Sequence, residues 1–136
     1  MRKTSFGGRR PLTKTQLLPL PADQVCRLSL KHHLALAMLR DGRGDVNSLS
    51  TLLNVVALAE QLDADGTVLA NSVQFQCAEQ ALEACITRGE PLMLTATERA
   101  AIAPVLLHHD AQLAWVPSHR YIEALERVAV RAIFRQ

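Results

Sequence analysis

Apolar residues recur along this chain at intervals of three and four, the period of one face of an α-helix, and sustained alternation with a period of two is missing. The first such stretch covers residues 22–41, where Leu30, Leu34, Ala37 and Met38 stand at i, i+4, i+7 and i+8 and Gly42 and Gly44 end the helix. Ser29 could cap a second segment, which leaves a break near Leu28 open. A second helix is expected from Val46 to Leu62, capped by Asp45 or Asn47. Its stripe of Leu49, Leu52, Leu53, Val56 and Ala59 is widened by Val55, Leu58 and Leu62, so it is either central or covered by a second subunit. Val55, Leu58 and Leu62 are therefore candidate interface residues.

A third helix is expected over 68–88, with Phe75, Ala78, Leu82 and Cys85 on one face. Ala70, Val73, Cys77, Ala81 and Ala84 make a second, small-residue face, and Gly89 and Pro91 close the helix. Thr95 and Glu98 form a capping box that opens a fourth helix, with Pro104 expected to kink it. Ser118 is positioned to cap a fifth, reaching about Phe134, with Ile122, Leu125, Ala129, Ala132 and Ile133 facing inward and Glu123 placed to pair with Arg127. These elements predict an all-α domain: a compact bundle of four to five helices over 22–136, preceded by a flexible basic N-terminal arm at 1–21.

Composition agrees, since hydrophobic residues make up 49% and aromatic residues 4% of the 136 positions, which implies an aliphatic core. Charge is uneven. The arm holds Arg2, Lys3, Arg9, Arg10 and Lys14 and no acid, so a basic arm precedes a mildly acidic body, although the whole chain is only +2. Cys26, Cys77 and Cys85 form no C-x-x-C pair and are expected as reduced, buried thiols of a cytoplasmic protein. No apolar run has the roughly 20 residues of a membrane span.

Candidate chemistry is sparse. The doublets "KHHL" (31–34) and "LHHD" (107–110) could meet around a metal, but adjacent helical residues point about 100° apart, so each doublet offers one ligand at best. The pair His109–Asp110 resembles the HD phosphohydrolases, helical enzymes that bind metal through His…His-Asp…Asp; no aspartate follows Asp110, and Glu123 and Glu126 are poor substitutes. His109 shares a stripe with Ile102, Leu106 and Leu113, and packed or hydrogen-bonded imidazoles are the expectation, with no catalytic residue, metal or cofactor. "DADGT" (63–67) fails as a calcium loop, because Gln61 and Ser72 fall where ligands are required. "ALAEQLDADGTVLANSV" (57–73) has a helix-turn-helix pattern but places no lysine or arginine on its second helix. Arg127, Arg131 and Arg135 repeat at i, i+4 and, with the arm's Arg2, Lys3, Arg9, Arg10 and Lys14, are the candidate nucleic-acid contacts. "GRGD" (42–45) is a helix-ending turn.

At "LPLPADQVCRLSLKHHLALAMLRDGRGD" and "LHHDAQLAWVPSHRYIEALERV" the chain resembles small helical accessory proteins of bacterial plasmids, integrative elements and prophages, over about residues 17–125. The resemblance implies an accessory role in a mobile element, with no catalytic residues to carry over. The expected function is a non-enzymatic module that binds a protein partner such as a host defence or replication factor, with homo-oligomerisation compatible. The alternative is a DNA-binding regulator that uses the arm and the last helix.

Overall fold

The computed structural model describes residues 11–64 and 69–135, and within them every regular element is helical: α1 (Lys14–Leu17), α2 (Ala22–Arg40), α3 (Val46–Ala64), α4 (Leu69–Arg88), α5 (Ala96–Trp115) and α6 (Ser118–Arg135). The helix boundaries follow the local chemistry. Asp45 caps α3 by accepting from the Ser48 backbone N–H at 3.0 Å. Thr95 and Glu98 close the expected box at the start of α5, with Thr95 N–H to Glu98 Oε1 at 2.9 Å and Glu98 N–H to Thr95 Oγ1 at 3.1 Å. The end of α2 is a Schellman turn: Arg43 N–H reaches Met38 O at 2.8 Å, Gly42 N–H reaches Leu39 O at 3.4 Å, and Gly42 takes φ +73°. Helix α2 is continuous through Ser29, so the break near Leu28 does not occur. Pro104 is exposed and lies within α5 without ending it.

Helix α3 is the hub, which explains its excess of apolar positions. Leu49, Leu52, Val55, Val56 and Ala59 join Ala35 and Leu39 of α2, the Phe75–Ala78–Leu82–Cys85 face of α4, and Ile102, Val105 and Leu106 of α5 in the main core. On its other side Leu58 and Leu62 meet Leu113, Val116, Tyr121 and Ala124, with Leu20, Val25, Leu28 and Val128 at the edge. Val55, Leu58 and Leu62 are 1%, 4% and 5% exposed, which corrects their assignment as an interface: the other helices of the same chain already cover them. The α4–α5 connection contributes too. Leu92 and Leu94 are buried in the main core, and Leu94 N–H donates to Leu39 O at 3.1 Å.

Four further expectations are corrected. The end of the expected arm, residues 11–21, where Leu17, Leu18 and Leu20 are candidates to pin it to the body, contains α1 with its own capping box, Thr13 N–H to Gln16 Oε1 at 2.8 Å. Leu20 packs on the core, Leu17 and Leu18 are exposed, and the segment is tied to α6. Ser118 N–H donates to Leu18 O at 2.8 Å, and its hydroxyl lies 3.1 Å from Thr15 O and 3.2 Å from Gln16 O. Ser118 therefore serves this junction, and the Pro117 carbonyl accepts the first bonds of α6 from Arg120 and Tyr121. Second, Cys26 and Cys77 are exposed, and only Cys85 is buried. Third, the small-residue face of α4 packs through Ala81, which is buried in the main core, while Val73, Cys77 and Ala84 are exposed and the Ala70 side chain lies outside the described residues. Fourth, α6 packs through Tyr121, Ala124 and Val128, leaving Ile122, Leu125 and Ala129 exposed; its Glu123 lies 4.0 Å from His119. No helix among the described residues is long and apolar enough to cross a membrane.

Candidate functional site

The two histidine doublets meet. Helices α2 and α5 pack so that the rings of His32 and His109 lie 5.5 Å apart at 42°, both buried. Beside them His33 Nε2 lies 2.8 Å from Asp110 Oδ2, half-exposed at the rim. One turn along, Gln112 is a buried hub: its Nε2 donates to Ala59 O at 3.0 Å and to Asp63 Oδ1 at 2.8 Å. Those two bonds fix the amide, so its Oε1 must accept from His109 Nδ1 at 2.8 Å. His109 accordingly carries its proton on Nδ1. Its Nε2, His32 Nδ1 and Asp110 Oδ1 are buried without a hydrogen-bond partner. His108, its ring tilted against Phe75 with centroids 6.1 Å apart, bonds Asp63 Oδ1 through Nε2 at 2.9 Å. The result is a polar seam joining α2, α3 and α5 across an aliphatic bundle.

Burial sets the protonation of this seam. Desolvation, then the neighbouring His109, lowers the His32 pKa from 6.5 to about 4, and Asp110 opposes the shift. Burial also lowers His109, with the Gln112 hydrogen bond acting the other way. Both rings are neutral near pH 7. Among the described residues no group of three His, Cys, Asp or Glu side chains is arranged to hold a metal ion. Glu123 and Glu126 lie exposed on α6, so the HD-type ligand set is not assembled. What the seam can do is structural: it gives greasy helices directional contacts.

Lys14 is exposed on α1, while Arg127 and Arg131 are exposed on α6. Arg135 lies on the last turn of α6; Arg2, Lys3, Arg9 and Arg10 lie outside the described residues. Arg127 and Arg131 line clefts beside α6 that also contain Glu60, Glu79, Glu123 and Glu126, so a phosphate entering there would meet carboxylates. In the helix-turn-helix reading, the first helix is 19 residues long and α4 is 20 residues long; α4 is wedged in the core through Phe75 and Leu82.

Outward apolar residues are grouped on two helices. On α6, Ile122, Leu125 and Val130 are 50%, 39% and 50% exposed. On α2, Leu30, Leu34 and Met38 are 61%, 53% and 39% exposed, because His32, Ala35 and Leu39 face the core instead. The sequence pattern places Leu30, Leu34 and Met38 on one face of α2 and expects Ile122 and Leu125 to face inward; both sets lie outward. Gln112 and Asp63 are the residues that pattern-reading missed; the i+3 and i+4 spacing of Gln112 from His109 and His108 was the available signal. No protein-family model, curated protein or solved structure matches this chain.

Proposed function

We propose that the chain is a non-enzymatic helical module of a mobile genetic element that acts by binding a protein partner on the outer face of α6. The observation that carries this reading is the half-exposed row of Ile122 and Leu125, with Ala129 one turn on, on a helix already fixed to the bundle by Tyr121, Ala124 and Val128. Apolar side chains aligned on one helix face gain burial only from a second surface. The arginines and glutamates along α6 suit the mixed-charge rim of a protein interface better than a phosphate-binding groove. The resemblance of residues 17–125 to accessory proteins of mobile elements adds the expectation that the partner is a host defence or replication factor.

The test is affinity isolation from the native host with and without nuclease, comparing the natural chain with an Ile122→Lys/Leu125→Lys variant of unchanged helicity. A specific protein retained after nuclease treatment and lost with the variant supports the reading. Capture abolished by nuclease favours the DNA-binding alternative, and identical capture by the variant removes α6 from consideration.

A further inference from the structure

We infer that the outer face of α2 is a self-complementary surface that pairs two copies of this chain antiparallel about Leu34. The inference rests on the reading of the chain as a binding module but uses a different face. Arg27, Leu30, Leu34, Met38 and Asp41 are spaced three, four, four and three residues apart, so helical geometry places them on one strip about 20 Å long. All five point away from the bundle. The three apolar residues are at least 39% exposed, and the side chains of Arg27 and Asp41 are 75% and 45% exposed. A shallow groove beside the strip, between α2 and the start of α3, is lined by Leu34, Met38, Asn47, Ser48 and Thr51 and leaves room for an approaching side chain.

The chemistry of the strip reads the same way for either copy once one is reversed. With a two-fold axis at Leu34, each Leu34 meets the other, Leu30 meets Met38, and Arg27 meets Asp41, at both ends. An isologous contact requires this symmetry; an unrelated partner does not. Arg27 and Asp41 now contact Asp23 at 3.3 Å and Arg40 at 2.9 Å, exposed pairs that cost little to share or exchange. One helix pair is a small interface, so the association is weak and concentration-dependent.

Sedimentation equilibrium on the full chain over roughly 10 to 500 μM tests this. The natural chain should approach dimer mass reversibly, and Leu34→Glu should remain monomeric. Arg27→Asp puts two aspartates opposite each other at each end, and Asp41→Arg does the same with arginines, so each variant alone should associate about tenfold more weakly. Both side chains are largely exposed, so the fold should tolerate either change, and unchanged helical circular dichroism of each variant checks this. Mixed together, the two single variants regain opposite charges at both ends and should form a heterodimer at least as readily as the natural chain pairs. A natural chain that stays monomeric overturns the proposal. So does a mixture no stronger than its components, or loss of dimer in Ile122→Lys/Leu125→Lys. A dimer that survives in that α6 variant while host-partner capture is lost separates this inference from the function proposed above.

Discussion

Acidification should destabilise this bundle through its buried histidines. His32 is 6% exposed and holds its pKa near 4, against 6.5 in the unfolded chain. Between those values the unfolded state binds a proton that the native state refuses. The stability linked to His32 is therefore fully present above pH 6.5, declines as pH falls, and levels off below about 4. Carried through at about 1.4 kcal/mol per pH decade, the loss is about 3 kcal/mol, a large share of the roughly 5–15 kcal/mol that holds a domain folded. His109 shifts in the same direction and adds to it. Glu98, lowered from 4.5 to about 2 chiefly by its hydrogen bonds from Arg88, works in the opposite sense of charge: it stabilises above pH 4.5 and loses that contribution below it. Above pH 4.5 the two effects do not overlap.

Urea unfolding followed by helical circular dichroism, repeated at steps between pH 7 and 4.5, gives the slope directly. The natural chain should lose about 2–3 kcal/mol over that span. His32→Leu removes one titrating group and its unpartnered Nδ1, so it should flatten the slope without lowering stability at neutral pH. A natural chain whose stability is constant across the span, or a His32→Leu variant with an unchanged slope, would refute the reasoning.

Three other outcomes follow from particular contacts. Gln112→Leu strands the His109 Nδ1 proton in the interior and takes one donor from Asp63 Oδ1, and should cost about 1–3 kcal/mol by denaturant titration, several-fold more than an exposed replacement. Gly42→Ala forces a side chain into a φ +73° turn where Met93 Cε would lie 2.6 Å from the new carbon, and should lower stability by about 1–2 kcal/mol, read as a fall in melting temperature. Thr95→Ala opens the capping box of α5 and should cost about 1 kcal/mol in the same measurement.

Much of the architecture was legible because it is written in local chemistry. Asp45, the Thr95–Glu98 box and the Gly42 and Gly89 stops fix helix ends through bonds to adjacent backbone, and such bonds do not depend on the rest of the fold. The same logic was available for Thr13 and Gln16, whose box starts α1 inside a stretch that composition alone assigns to an arm. Rotation was not legible. A period of 3.6 says that Leu30, Leu34 and Met38 share a face, and equally Ile122 and Leu125, but not whether that face meets its own core or another surface. On α2 the choice falls to residues that look less apolar.

The histidine seam supplies the reason for that choice, and so connects the interior to the surfaces assigned a function above. The Leu30–Leu34–Met38 stripe lies about 130° around the α2 axis from the His32–Ala35–Leu39 face. Turning α2 to bury the stripe would break the His33–Asp110 bond and carry His32 away from His109, leaving polar groups on α5 facing apolar side chains. Neutral imidazoles tolerate burial, whereas leucine tolerates exposure at a cost spread over a whole surface. The His33–Asp110 bond thus helps hold α2 with its Leu30–Leu34–Met38 stripe outward, where burial would have to come from a second molecule. Removing the His33–Asp110 bond should therefore also weaken any association made through Leu34.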